Sequence, residues 1–264
     1  MNRKMKNSPD GYFSTTIEKG LKLLSLFSDV RPNISQVDIS KELGINHTSA
    51  FRYVSTLVQI GYLKKDPQTK RLSPSLKSIV LCNNLIRSFD FLGSIRSLVD
   101  EVFQNINQTI GVALINEDKL SVIYRREAEE TFIYKLPTVH TEWNILAIGK
   151  AYMSNLPYEE LKQVIEKLPM ERKTTKSIVS RKKLLEEIKK TKKRGYAIAN
   201  EEYTEGLLAI GAPLIYEEKH CVGAVSIDFS TIKHTIDQIE REYADEIINL
   251  ANAISEIIPI NLTY

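Results

Sequence analysis

"GINHTSAFRYVSTLVQIGYLKKDPQTKRL" (residues 44–72) decides the reading of the whole chain. Ala50, Tyr53, Val54 and Leu57 follow the i, i+3, i+4, i+7 spacing of a buried helix face up to Gly61, which leaves Thr48, Ser49, Arg52, Ser55 and Thr56 off that face. Hydroxyls at a helix N-terminus can meet phosphates or base edges, and an arginine there suits a bidentate contact to guanine. Taken alone, a polar helix face is the ordinary condition of a surface. The segment that follows changes the balance. "YLKKDPQTKRLS" (62–73) reads as strand, Asp-Pro turn, strand, and puts Lys64, Lys65, Lys70 and Arg71 on a basic hairpin directly after the helix. A helix shaped for a DNA groove followed by a basic β-wing is the expectation.

Upstream, "TTIEKGLKLLSLFS" (15–28) places Ile17, Leu21, Leu24 and Phe27 on one helical face, with Thr15 or Thr16 as N-cap. After "RPN", Ser35 can cap "SQVDISKELG", where Val37, Ile39 and Leu43 point inward and Gly44 suits a left-handed helix exit. Helix, glycine turn, helix is the helix-turn-helix pattern. Charge follows the same division: residues 1–80 carry 13 Lys+Arg against 6 Asp+Glu, and the remaining residues 23 against 27. A basic N-terminal domain is the electrostatic footprint of a phosphate-backbone binder.

The length of 264 residues and 42% hydrophobic content suit two domains, each with its own core. Runs such as "LLAIGAPLIY" are too short to span a bilayer, and "MNRKMKNSPDGYFS" lacks the apolar core of a signal peptide, so no membrane partner and a cytoplasmic location are expected. Cys82 and Cys221 are far apart, and His47, His140, His220 and His234 are scattered, so neither a disulfide framework, a metal site nor a cofactor is expected. GxSxG, HExxH, P-loop and GxGxxG motifs are absent, and Ser226 has no assignable His partner, which argues against an enzyme.

Downstream, residues 75–107 read as helix, broken near Gly93, with a stripe of Leu76, Ile79, Val80, Ile86 and Phe89 that packs on a second subunit or on the chain's own domains. Then the period changes. "TIGVALINEDKLSVIYRRE" is a strand hairpin about "NEDK", and "AIGAPLIYEEKHCVGAVSIDFS" repeats it about "YEEKH". Helical segments lie between the hairpins, and "TIDQIEREYADEIINLANAISEII" reads as a long amphipathic helix. The predicted fold class is α+β: an N-terminal winged helix-turn-helix (1–74), a linker helix (75–92) and an antiparallel-sheet domain (93–264).

This order of segments resembles the IclR (isocitrate lyase regulator) family of transcription factors. "ISKELGINHTSAFRYVSTLVQIGYLKKDPQTKRLSPSLK" is similar to that family's winged helix-turn-helix; "IGKAYMSNLP" and "KKRGYAIANEEYTEGLLAIGAPLIYEEKHCVGAVSIDF" are similar to its GAF-like effector-binding domain. The resemblance implies a homodimer or tetramer that binds a palindromic double-stranded operator, with repression as the expected direction, and responds to a small-molecule effector. It assigns the recognition helix to residues 48–58, with Thr48, Ser49 and Arg52 as its reading residues. Ser35, Lys65, Lys70 and Arg71 are expected on phosphates, contacts that position without reading sequence.

The effector pocket implied by the resemblance falls on Ala199 (or Asn200 in a shifted register), Ala209, Ser226 and Asp228, with Ala147 and Ile148 before Gly149. Relatives that bind small 2-oxo acids carry an aspartate, a cysteine and two serines at the corresponding side-chain positions, and only Ser226 is kept. Unless protonated or salt-bridged, Asp228 would repel an anion, which points to an effector that is neutral, donor-rich or cationic, or to a larger molecule against Trp143 and Leu146. Asp228 at a solvent-facing strand end and Trp143 in the core remain the alternatives. So does a DNA-binding regulator with a degenerate, ligand-free sensor. Glu201 and Glu202 are assigned no chemistry, because neighbours in sequence often point apart.

Overall fold

Ser14, not Thr15 or Thr16, caps the first helix, α1 (Thr15–Leu24), by accepting a hydrogen bond from the Ile17 amide. Leu23 is fully buried, whereas Ile17 and Leu21, on the face expected to pack inward, are 64% and 61% exposed. The amphipathic pattern located an apolar stripe correctly, but part of that stripe is uncovered in the single chain. The computed structural model describes residues 12–28, 31–116, 119–129, 139–216 and 220–259. The chain divides into two compact units, one ending at Ser88 and the other beginning at Phe89.

In the first unit, Ser35 and Asp38 form a reciprocal capping box at the start of α2 (Gln36–Glu42), satisfying two amides that a helix end otherwise leaves open. Gly44 takes φ +59 at the exit from that helix, the left-handed conformation that favours glycine. Asn46 then caps α3 (His47–Gln59) through the Ser49 amide at 2.8 Å. Ala50, Val54 and Leu57 of α3 are buried with Leu23, Ile34 and Ile39, and with Leu63 and Leu72 of the hairpin. Val37, expected to face inward, is 49% exposed. Burying a Leu, Ile or Val side chain stabilises by about 1.5–3 kcal/mol, so this small cluster is what holds the three helices to the wing.

The wing itself is β1 (Leu63–Lys65) paired antiparallel with β2 (Leu72–Pro74). The Asp66 carboxylate accepts from the amides of Gln68 (2.9 Å) and Thr69 (2.6 Å) and fixes the turn. Ile34 bridges Leu72 in both directions, so the wing is hydrogen-bonded to the segment leading into α2. Ser75 caps α4 (Leu76–Arg87). The helical break falls at Ser88–Phe89 rather than near Gly93, which lies inside α5 (Asp90–Ile106).

The second unit continues from α5 with β3 (Thr109–Asn116), β4 (Lys119–Arg126), β5 (Val139–His140), a 3-10 turn (Trp143–Ile145), α6 (Ala147–Met153), α7 (Tyr158–Lys167), α8 (Arg181–Arg194), β6 (Ala197–Asn200), β7 (Leu207–Tyr216), β8 (His220–Ser230) and α9 (Ile236–Ile257). The strands form one antiparallel sheet in the order β5-β4-β3-β8-β7-β6. Both expected hairpins are present as paired strands; the centres of their turns, at "NEDK" and "YEEKH", lie outside the described residues.

The two faces of this sheet differ in side-chain size. Ile110, Val112, Ile198, Leu208, Ile210, Val225 and Ile227 pack with α5 and α9 into one large core. The alternating positions carry Gly111, Ala113, Ala197, Ala199, Ala209, Gly211 and Ala224, residues small enough for α6 to lie close to the strands. A Cβ at Gly211 would stand 3.1 Å from the Ala147 backbone, and one at Gly149 would stand 2.4 Å from the Trp143 carbonyl oxygen. The small residues set the distance between helix and sheet, and that distance makes the cavity described below. Among the described residues, no helix is long and apolar enough to cross a membrane.

Candidate functional site

The sequence-derived site residues fall into two groups, one in each unit. In the first unit, Thr48 and Arg52 are exposed on the first turns of α3, Ser49 is half-buried beside them, and Lys65, Lys70 and Arg71 are exposed on the hairpin. Asn46 already satisfies the Ser49 amide, so the exposed side chains of α3 and not its cap are what this helix offers a partner. Lys70 takes φ 57, and its ammonium donates to the Pro67 carbonyl at 2.6 Å, while Arg71 donates to the Asn33 carbonyl at 3.3 Å. Both contacts are with the protein's own backbone at the surface and leave the cationic heads solvent-facing. Ser35 differs: its hydroxyl donates to Asp38 at 2.8 Å while accepting from the Asp38 amide at 3.1 Å, so its first role is the cap of α2. Phe51 is 54% exposed, and Tyr53 is half-buried against the core.

In the second unit, Leu146, Ala147, Ile148, Ala199, Ala209, Ser226 and Asp228 surround a single cavity of about 30 Å³, together with Gly111, Arg125, His140, Glu202 and Tyr203. Strand register explains the grouping. Ala199 lies opposite Ala209, Ala209 opposite Asp228, and Gly111 opposite both Ser226 and Arg125. Trp143 does not line the cavity. Its ring is buried edge-on to Tyr152, at 5.4 Å between centroids, in the core beneath α6, and its indole nitrogen donates to the His140 carbonyl at 3.0 Å. Of its two readings, the core one matches this position.

Asp228 is buried, and not at a solvent-facing strand end. Its carboxylate accepts from Arg125 Nη2 at 3.1 Å, and Arg125 Nε donates in turn to Glu127 at 3.2 Å. The condition under which an aspartate here need not repel an anion, a salt bridge, is therefore met. His140 is fully buried, with neither ring nitrogen bonded among the described residues. Burial pushes its pKa down to about 4, with Lys173 and Arg125 acting in the same direction and Glu142 and Asp228 against it. It is a neutral imidazole at pH 7, with one donor and one acceptor.

Glu201 and Glu202 point apart, as expected of neighbours. Glu201, at φ 52, bonds Lys176 and the Gly206 amide. Glu202 turns inward, where its Oε1 accepts from the fully buried Lys150 ammonium at 2.6 Å and its Oε2 has no partner among the described residues. Burial raises the Glu202 pKa, and Lys150 opposes that rise. Thr174 and Ser177 hold the backbone of this loop through the carbonyls of Glu201 and Glu202 at 2.7 Å each, and the Lys173 ammonium sits 4.0 Å from the Tyr203 ring centroid. Loop 201–206 is thereby fastened beside the cavity.

Arg125, His140, Glu202 and Tyr203 were not singled out for this site from sequence. Arg125 belongs to a charged "RRE" run that reads as a strand end, and its alignment with Asp228 depends on a register across β4, β3 and β8 that the local pattern does not encode.

Comparison with known proteins accords with this architecture. Residues 16–67 match the model of the IclR helix-turn-helix domain, and residues 84–256 match that of the bacterial transcriptional regulator IclR C-terminal domain. The chain is 24% identical over 257 residues to the HTH-type transcriptional regulator KdgR of Escherichia coli, covering 96% of this chain and 95% of that protein. It is 18% identical over 243 residues to the Transcriptional repressor IclR of the same organism, covering 91% and 88%. Its fold is similar to that of an IclR homolog from Microbacterium hydrocarbonoxydans complexed with 4-hydroxybenzoate, with a TM-score of 0.73 at 15% identity over 92% of this chain and 98% of that one. Because the C-terminal model alone matches more than half of its residues, the chain belongs to the IclR family of DNA-binding transcriptional regulators with a C-terminal effector-binding domain.

Proposed function

We propose that this regulator is a cytoplasmic repressor that binds a palindromic operator as a homodimer or tetramer, through a DNA-binding domain of residues 1–74 joined by a linker helix at 75–92 to an effector domain at 93–264. Thr48, Ser49 and Arg52 read base edges; Lys65, Lys70, Arg71 and Ser35, the last from the start of α2, position the phosphate backbone. The observation that carries the reading is the exposed N-terminal half of α3 standing beside a basic hairpin that shares its core. Repression is favoured by the relative named Transcriptional repressor IclR.

A gel shift against the chain's own upstream intergenic duplex and a scrambled one tests the assignment. Arg52→Ala is expected to weaken binding to the native duplex by about 1–3 kcal/mol and to relax specificity at one base, while Lys70→Ala weakens both duplexes alike and lowers the salt dependence. Equal losses on the two duplexes for Arg52→Ala would remove it from the reading set.

The assembly reading rests on an uncovered apolar surface within the first unit. Leu76, Ile79, Val80, Leu85 and Ile86 of α4 are all more than half exposed. A groove of about 410 Å³ lined by Ile17, Leu21 and Leu24 of α1, Tyr53 and Ile60 near α3 and Leu81 of α4 continues that surface. Apolar area of this kind marks an interaction face, and a second copy would cover it symmetrically. Light scattering of the wild type is expected to give a dimer or larger species, and Ile79→Asp/Ile86→Asp a smaller one; a monomeric wild type would contradict the proposal.

The effector reading combines this assembly with the cavity. Paired recognition helices must lie about 34–36 Å apart, or a multiple of it, to enter successive major grooves, so a ligand that biases one arrangement of the subunits changes operator affinity. The cavity residues Leu146, Ala147, Ile148, Ala199, Ala209, Ser226 and Asp228 supply the ligand contacts, and Trp143 supports them from the core.

A further inference from the structure

Thr48, Phe51, Arg52 and Ser55 stand at i, i+3, i+4 and i+7 and so share one face of α3, opposite the buried Ala50, Val54 and Leu57. Thr48, Arg52 and Ser55 are polar and suit phosphates or base edges. Phe51 suits neither by hydrogen bonding. It is 54% exposed, lies outside the apolar cluster that holds α3 to the wing, and has no ring or cation partner among the described residues. A single exposed apolar side chain is ordinary on a protein surface. The position of Phe51 is less ordinary: it stands between Thr48 and Arg52, so whatever surface those two side chains meet, the ring meets as well.

The major groove offers such a ring one apolar group. Its base edges carry hydrogen-bond donors and acceptors, and the C5-methyl of thymine is the only methyl that unmodified bases present there. Phosphates give an apolar ring no comparable contact, because burying it against them removes their water without replacing it. We propose that Phe51 is a fourth base-reading residue of α3, one that recognises a thymine by its methyl group. The inference rests on the reading of α3 as the recognition helix. Phe51 and Arg52 are consecutive, with Cα atoms about 3.8 Å apart, close to the rise of about 3.4 Å between base pairs, so the thymine is placed within a base pair or two of the one that Arg52 contacts. Hydrogen bonds made by Arg52 and a methyl contact made by Phe51 then specify neighbouring positions by different chemistry. The helix does not need the ring for its own start, since Asn46 provides the cap.

The test removes the methyl and nothing else. Uracil keeps every donor and acceptor of thymine and lacks only that group. Full-length wild type, Phe51→Ala and Phe51→Leu are titrated by gel shift against the native upstream duplex, a scrambled duplex, and native duplexes in which one thymine of the footprint at a time is replaced by deoxyuridine. The wild type is expected to bind about fourfold more weakly with uracil at one position of each half-site, the effect of losing one buried methyl. Phe51→Ala is expected to bind the native duplex more weakly and to be indifferent to uracil at that position, with Phe51→Leu between the two. Thermal melts of the three proteins are expected to coincide; if Phe51→Ala melts early, Phe51→Leu carries the comparison through its reduced sensitivity to uracil. Uracil sensitivity that is absent from the wild type, or unchanged in the folded variant, overturns the proposal. The scrambled duplex separates the two levels: a wild type that prefers the native duplex but ignores uracil keeps α3 as the recognition helix and removes Phe51 from it, whereas a wild type that binds both duplexes alike removes the recognition-helix reading and the inference with it.

Discussion

Lys150→Met is expected to lower the unfolding free energy by about 3–5 kcal/mol, the loss seen when one partner of a buried ion pair is removed. Lys150 lies in α6 with no exposed surface and donates to both the Ile198 carbonyl and the Glu202 carboxylate. Methionine has nearly the same reach, so the substitution leaves little void; what it leaves is a buried carboxylate that, among the described residues, retains the Asn200 amide at 3.3 Å. The double variant Lys150→Met/Glu202→Leu is expected to recover most of the loss, because replacing a whole buried pair by apolar residues is often close to neutral. Urea unfolding of the two variants and the wild type provides the comparison. A Lys150→Met loss below about 1 kcal/mol would mean that the pair contributes nothing beyond packing. The pair also has a functional position, since it ties α6 on one side of the cavity to the loop bearing Tyr203 on the other; loosening it is expected to leave α3 and the wing unchanged.

The helix-turn-helix was legible in the sequence because its caps, its turns and its buried helix face are local. Asn46, Gly44, Asp38 and Asp66 each act within a few residues of their partners, and the Ala50–Val54–Leu57 face is buried as its spacing demands. Local pattern failed where burial depends on what covers a face: Ile17, Leu21 and Val37 obey helical periodicity and are exposed in the single chain. The strand hairpins were likewise legible from alternation and turns. Strands β5 and β6 were not, because two and four residues are too few to show a period, and they are held as edges of a sheet whose centre is elsewhere. The cavity divides in the same way. Its small residues were placed by family resemblance, but the charged pair that gives it character joins residues 103 apart, and Lys150 and Glu202 are 52 apart. No window of sequence contains either interaction.

Acidification below about pH 6.5 is expected to destabilise the protein through His140. The folded imidazole has a pKa of about 4 against an ordinary value of 6.5, so between those limits the unfolded chain binds a proton that the folded chain refuses. Stability therefore rises with pH across this window and is lost as pH falls through it, by roughly 3 kcal/mol in total at about 1.4 kcal/mol per pH unit. Of the groups facing the ring, Lys173 and Arg125 oppose its protonation, Glu142 and Asp228 favour it, and Tyr203 stacks edge-on at 6.3 Å. Asp38, Asp66, Glu142 and Glu201, with pKa values held low, lose their contributions only at more acidic pH. His234 acts with the same sign as His140, and Glu202, whose pKa is raised, with the opposite sign; both are retained in a His140→Phe variant, so the difference curve isolates His140. Phenylalanine fills a similar volume and removes two nitrogens that bond nothing among the described residues, so it costs little at pH 7. Denaturant unfolding between pH 7 and 4.5 should then give a curve for His140→Phe that is flatter than the wild type's. Parallel curves would mean that the ring takes up its proton with ordinary ease.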